Sequence, residues 1–331
     1  MSDIIVDTVS ARARELLRDA LVWDAHSGFW PRPDTDLEQL SQWSGGGVDF
    51  LSIDVGFDVV PWTDAVRNLA AYRAWLEQRP ERFVLVEHAD DILRAKATGK
   101  LAIAFDLEGA TVLARQVSMV SMYYRLGVRQ MLFAYNLNNE AAGGCHDDDT
   151  GLTDFGRAVL AEMNRVGMLV DLSHAGYRTS MELAERSTAP VIFSHANPKA
   201  LCPHPRNITD EQMRACVRTG GIVGVNGVGR FLGDPNASAP HLVRAIDMTD
   251  QQVGAANVGI GLDYTWEGAV FARDPKFWPE QHYPAGVKYP YLGPDQLPAT
   301  TEGLLRLGYQ EADICGILGE NFLRVARQVW K

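Results

Sequence analysis

Five residues able to bind a metal ion, His26, Glu108, His174, His195 and Asp263, each fall just after a short apolar run. Imidazole nitrogen and carboxylate oxygen together form the donor set of zinc or a similar divalent ion. Taken singly, each has a plainer explanation. A histidine at a strand end is more often capped or buried in the core, and Glu108 or Asp263 alone would suit the start of a helix. The joint placement of all five at the same end of five runs points instead to a metal centre.

The elements that must position them follow from the apolar pattern. Runs at Leu21–Asp24, Phe50–Val55, Leu101–Phe105, Gln130–Ala134, Met168–Asp171, Val191–Phe193, Ile222–Val225 and Val258–Gly261 read as strands. Helical periodicity covers Asp64–Gln78, Phe155–Val166, Tyr177–Arg186 and Asp210–Thr219 between them, with an amphipathic helix over Met1–Ala20 and one or two closing helices over Glu311–Trp330. Near-continuous apolar strands, each followed by a helix, predict a parallel sheet, and eight repeats predict a closed (β/α)₈ TIM barrel. In such a barrel the strand ends converge on one mouth, which brings the five residues onto one rim. The whole chain, 1–331, is expected to form one barrel domain, with a long loop at about 264–298 serving as lid or pocket wall.

Composition excludes several classes. The chain has 331 residues, 46% hydrophobic and 22% charged, which suits a globular protein with a large core. A net charge of -11 disfavours nucleic acid and anionic membrane surfaces as partners. No run approaches the roughly 20 apolar residues of a membrane span, and the N-terminus lacks a signal-peptide pattern. Cys145, Cys202, Cys216 and Cys315 are scattered without a CxxC pair, so reduced thiols and a cytoplasmic location are expected. The first strand is followed by His26-Ser27-Gly28 rather than GxGxxG, which argues against a dinucleotide fold. The other histidines, His88, His146, His204, His241 and His282, show no strand-end placement and read mostly as surface residues. His146, beside Asp147, Asp148 and Asp149, reads as part of a solvated acidic loop.

Longer motifs add a resemblance. GLTDFGRAVLAEMNRVGMLVDLSHAGYRTS from Gly151, APVIFSHANPKALCPHPRNITDEQM from Ala189, Gly-Ile-Gly-Leu-Asp from Gly259 and Gly-Glu-Asn-Phe-Leu-Arg-Val from Gly319 are similar, in order, to the membrane (renal-type) dipeptidases. These are the M19 peptidases of the amidohydrolase superfamily, and the resemblance runs from about Val22 to Val325. It implies a metallo-dipeptidase with two zinc ions bridged by Glu108, one held by His174 and His195 and the other by His26 and Asp263. It further implies that Arg206 grips the substrate's terminal carboxylate, a task suited to a planar guanidinium, and that the protein is a homodimer.

Two departures stand out. The family's His-x-Asp after the first strand reads His26-Ser27-Gly28 here, so one carboxylate ligand is missing and the His26/Asp263 site is expected to bind its ion more weakly. One or two Zn²⁺ ions are therefore expected. The family's histidine after the fourth strand is Tyr135, which either donates a hydrogen bond to a developing oxyanion or merely lines the pocket.

The chemistry expected is attack on an amide carbonyl by a metal-bound hydroxide, with Asp263 passing the proton to the leaving nitrogen. The substrate is then a dipeptide or similar small molecule. Two alternatives stay open: an amidohydrolase or lactonase for a non-peptide metabolite, and a metal-poor relative that only binds a ligand.

Overall fold

The computed structural model describes residues 8–266, 274–287 and 290–331. Nine parallel strands are present among them: β1 Trp23–Ser27, β2 Phe50–Phe57, β3 Phe83–Leu85, β4 Leu101–Glu108, β5 Val128–Leu132, β6 Leu169–Asp171, β7 Val191–Phe193, β8 Ile222–Val225 and β9 Val258–Ile260. Eight form the barrel in the order β1-β2-β4-β5-β6-β7-β8-β9, and helices surround it. The fold is the expected TIM barrel.

The additional strand, β3, pairs with Leu101–Ile103 of β4, whereas β5 pairs with Phe105–Glu108 further along. An eight-residue strand is long enough to serve two partners on one side in succession. Three residues, Phe83-Val84-Leu85, carry too little periodicity to announce such a strand. Several boundaries also move. β2 runs on to Phe57 and β4 to Glu108, so Glu108 lies inside its strand rather than after it. β1 runs to Ser27, so His26 lies inside the strand, and β5 starts and ends two residues before the expected Gln130–Ala134.

The strands sort their side chains by alternation. In β2 and β4, Leu51, Ile53, Val55, Leu101, Ile103, Phe105 and Leu107 join the main core beneath the helices. The alternate positions face inward, and they change character along the strand. Phe50, Ala102 and Ala104 pack with Trp23, Leu169, Ile192 and Ile222 at one end. The C-terminal helix Asn321–Val329 meets them there, Phe322 stacking on Trp23 with ring centroids 5.7 Å apart. Toward the opposite end the inward residues become His26, Asp54, Asp106 and Glu108, all buried. One end of the barrel is thus an apolar plug and the other a polar mouth.

Closure runs along β1 and β9. The amide of Asp263 donates to the His26 carbonyl (3.1 Å), and that of Gly28 to the Tyr264 carbonyl (2.9 Å). Asp24 accepts the Leu262 amide (2.8 Å) and the Trp43 indole N–H (2.8 Å), which fastens the seam from below. A Cβ at residue 28 would stand 2.3 Å from the Asp263 carbonyl oxygen, so the seam requires glycine at that position.

Among the expected helices, Tyr177–Arg186 is found as read and the others lie within two residues at each end: Trp62–Glu77, Asp154–Val166 and Asp210–Arg218. Thr153 and Thr209 cap the second and fourth of these four in chain order starts, Asp154 and Asp210, and Gln212 completes a capping box with Thr209. The first helix spans Ala11–Asp19 behind Ser10, whose hydroxyl accepts the Ala13 amide and donates to Glu302; Ile4 and Ile5 lie outside the described residues. The closing region is two helices, Glu311–Cys315 and Asn321–Val329, joined by a π-helical turn. Residues 267–273 and 288–289 of the long loop are outside the described residues, and its far end enters the helix Leu297–Leu307.

Gly28→Ala is expected to destabilise the protein by about 1–3 kcal/mol, because backbone rather than a flexible side chain blocks the new methyl group. Thermal or urea denaturation measures this, and an unchanged midpoint would mean that the seam yields freely.

Candidate metal centre

His26 and Glu108 lie on β1 and β4, His174 three residues beyond β6, His195 two beyond β7 and Asp263 three beyond β9. The barrel brings all five together. The Nε2 atoms of His26, His174 and His195 lie 3.5, 3.3 and 3.5 Å from one atom, Glu108 Oε1. His26 Nε2 is 3.9 Å from Asp263 Oδ1. The ligand atoms of His26, Glu108 and His195 all lie within 4.8 Å of one another.

Each imidazole is oriented from behind. His26 Nδ1 faces Asp106 Oδ1 at 3.2 Å, and Asp106 is itself held by the Ser52 hydroxyl (2.6 Å). His174 Nδ1 is 2.7 Å from Asn136 Oδ1. His195 Nδ1 is 2.7 Å from the Ser194 hydroxyl, which donates its own proton to Asp171. A carboxylate, an amide oxygen and a hydroxyl already committed as donor all accept, so every Nδ1 carries the hydrogen. Every Nε2 faces Glu108, and those of the neutral His174 and His195 do so with a lone pair.

That convergence is unfavourable without a cation. His174 Nε2 and His195 Nε2 are 3.0 Å apart with lone pairs facing. Glu108 Oε1 is buried and receives no hydrogen bond. Burial, with Arg206 and neighbouring imidazoles adding to it, holds His174 and His195 well below the ordinary histidine range, so both stay neutral. For His26 burial pulls downward, but Asp106 and Glu108 outweigh it and raise its pKa. Burial raises the carboxyl groups of Glu108 and Asp263. Neutral imidazoles and carboxylates short of a counter-charge are groups that a divalent ion fits.

Strain marks the same place. Asn136, His174 and Asp263 have φ of +62°, +62° and +54°, in the left-handed region that non-glycine residues rarely adopt. Asn226 fixes Asp263 through a 2.9 Å hydrogen bond to Oδ2.

Tyr135 stacks on His174 with ring centroids 4.2 Å apart, and its amide donates to the buried Asp58 (2.9 Å). Burial and the charge of Glu108 push the phenol well up, so it stays protonated. Its hydroxyl has no hydrogen-bond partner among the described residues, and the ring lines a small cavity shared with Trp30, Phe57, Glu108, His174 and Asp263. Trp278 closes on the same aromatic group, 5.6 Å from Tyr135, and the Phe277 carbonyl accepts from Asn136 (3.1 Å). Phe277 and Trp278 of the long loop thus pack against residues of the site.

Arg206 is buried. Its Nη2 donates to the His195 carbonyl (3.2 Å) and its guanidinium lies 5.4 Å from the Phe231 ring centroid. Its Nε has no partner, and no carboxylate pairs with it among the described residues. A buried positive charge in this state calls for an anion.

Three histidines read as surface residues take another place. His204 is buried and His146 and His282 half-buried, with ring centroids 4.9 to 6.0 Å apart, and His204 Nδ1 accepts the Arg206 amide. They come from separate loops, which is why periodicity was blind to them. Asp106, Asn136, Asp171, Ser194 and Asn226 were missed as well. Asp106 had a signal, since alternation places it on the same inward face as Glu108.

Residues 34–280 match the model of the membrane dipeptidase family (peptidase family M19). This chain belongs to that family. Rat dipeptidase 3 is 31% identical over 328 residues, covering 96% of this chain and 62% of the rat protein, so the chain spans less than two thirds of that relative. An amidohydrolase from Pseudomonas aeruginosa superposes with a TM-score of 0.86 at 31% identity, over 96% of this chain and 99% of that one. A metallopeptidase from Rhodobacter sphaeroides, liganded with a phosphinate mimic of the dipeptide L-Ala-D-Ala, shares the fold at TM-score 0.76 and 21% identity, over 94% and 100%. Membership in this metallopeptidase family implies a metal. Among the described residues no helix is long and apolar enough to cross a membrane.

Asn136→Ala removes the acceptor behind His174. Nitrogen-15 NMR of histidine-labelled protein is expected to show one Nδ1–H tautomer for His174 in the parent and a mixture in the variant; a single tautomer in both would remove Asn136 from this role.

The rim histidines set an acid limit. Burial lowers both His146 and His204 to about 3, whereas in the unfolded chain each titrates near 6.5. Between these values the unfolded state binds more protons, so stability should fall as pH drops from about 6.5 toward 3. Replacing both with glutamine should flatten that part of the stability profile, read by urea midpoints.

Proposed function

We propose that this chain is a zinc-dependent dipeptidase, cleaving the amide bond of a dipeptide or a dipeptide-like small molecule. The observation that carries the reading is the convergence of three Nε2 atoms, two of them on neutral imidazoles, on the unpartnered Glu108 carboxylate oxygen. His26, Glu108, His174, His195 and Asp263 would hold the metal, one ion or two, and an N/O donor set of this kind suits zinc. When bound, such a cation polarises a carbonyl and lowers the pKa of water to about 7.

The protein's own residues do the rest. Arg206, a buried guanidinium without an internal carboxylate, takes the substrate's terminal carboxylate and fixes its orientation. Tyr135, kept protonated, donates its hydroxyl hydrogen to the oxyanion as it develops. Asp263, held by Asn226 and with its carboxyl raised by burial, receives the proton of the attacking water and returns it to the leaving nitrogen. Trp30, Phe57 and Trp278 surround this chemistry with apolar surface that limits water.

We also read the chain as one barrel domain working as a homodimer, on the family resemblance. All four cysteines are free, which supports a cytoplasmic location.

The test is a hydrolysis screen of metal-reconstituted protein against L,L- and L,D-dipeptides and N-acyl amino acids. Dipeptide turnover is expected, abolished by chelation and by Glu108→Gln with an unchanged circular dichroism spectrum. No turnover of any dipeptide with zinc, manganese or cobalt would overturn the reading, as would full activity in Glu108→Gln.

A further inference from the structure

Asp54 is a buried carboxylate that the chemistry above does not use. It stands opposite Asp106 in the parallel register of β2 and β4, so both side chains face into the barrel. It is 3% exposed, and it lines the same cavity as Glu108, Asp263, His174 and Gly28. Its Oδ1 accepts the Gly56 amide at 2.8 Å. Its Oδ2 receives no hydrogen bond from any described residue.

Charge makes this position costly as it stands. Asp54, Asp106, Glu108 and Asp263 act on one another across a small volume, and His26 opposes them, joined at Asp263 by Arg206. Of the carboxylates acting on Glu108, Asp54 acts most strongly. Arg206 lies on the other side, against His195 and Phe231. A buried carboxylate with a spare oxygen, in a wall already rich in negative charge, is retained more readily if a cation uses it.

The donor count points the same way. Glu108, His174 and His195 give three protein donors on one side. His26 and Asp263 are the donors on the other, and Gly28, which shares the cavity, contributes none. No side chain can be restored there, because its Cβ would meet Asp263 Oδ1 at 2.4 Å as well as the carbonyl oxygen. The neighbouring strand β2 offers a carboxylate to the same cavity.

We infer that Asp54 is a ligand for a divalent cation held on the His26–Asp263 side of Glu108, supplying from β2 the carboxylate that residue 28 does not. The inference rests on the metal-dependent reading above. Asp54→Asn keeps the shape and an acceptor for Gly56 while removing the charge, and Asp54→Ser does the same in a smaller side chain should the first variant not fold. Ions per chain are counted by elemental analysis after zinc loading, and affinities come from competition with a chromophoric chelator. The parent is expected to hold two ions. The variant should keep one at parental affinity and bind the other at least about tenfold more weakly. In the metal-free state the variant should melt no lower than the parent, since a buried like charge has gone, while the zinc-induced rise in Tm shrinks.

Unchanged ion count and affinities in the variant overturn the inference. So does unchanged zinc binding with a raised KM for dipeptides but not for N-acyl amino acids, which would make Asp54 an acceptor for the substrate's ammonium group. A parent that binds no zinc, manganese or cobalt at all instead removes the metal reading on which the inference stands.

Discussion

Three imidazoles in the barrel mouth have no freedom to choose which nitrogen carries the hydrogen. Asp106, Asn136 and Ser194 accept from Nδ1, so His26, His174 and His195 all turn Nε2 toward one carboxylate oxygen, His174 and His195 with a bare lone pair. The arrangement gives up hydrogen bonds that those nitrogens would make in water, and it survives because the barrel holds the backbones in place. A deep apolar interior, stacked from Trp23 and Phe50 to the C-terminal helix, provides the stability against which such a site is maintained. The left-handed backbones at Asn136, His174 and Asp263 belong to the same account. They are local costs carried at the residues that set the direction of the donors.

The mouth also separates its charges. Carboxylates gather under His26, on the side of β1, β2 and β4, whereas the guanidinium of Arg206 sits behind His195 and beside the rim histidines. A small molecule with a carboxylate at one end and an amide bond one residue away matches that polarity. The aromatic residues Trp30, Phe57, Tyr135 and Trp278 pack as one cluster at this mouth, and Trp30, Phe57 and Tyr135 line its cavity.

Much of this was legible in the residue order. Strand alternation and helix periodicity locate the barrel, because β/α units repeat one local pattern and caps such as Thr209 with Gln212 mark helix starts. Strand-end positions were enough to gather His26, Glu108, His174, His195 and Asp263. The supporting residues were not legible in the same way. Asn136 meets His174 across 38 positions and Asp171 meets Ser194 across 23, and no local pattern encodes such pairings. Asp54 and Asp106 were hidden for another reason: inside an apolar run, a single carboxylate reads as a flaw in the strand until the register shows which way it faces. His146, His204 and His282 depend on how three loops fold over one another.

Gly28 couples the barrel seam to the choice of acid in the mouth. The closing hydrogen bonds of β1 with the segment after β9 bring Asp263 into the space that a side chain at 28 would occupy. With the seam drawn this close, an acid placed at residue 28 would meet the Asp263 carbonyl and carboxylate before it reached an ion, so the two positions cannot both present a side chain here without the segment after β9 moving away.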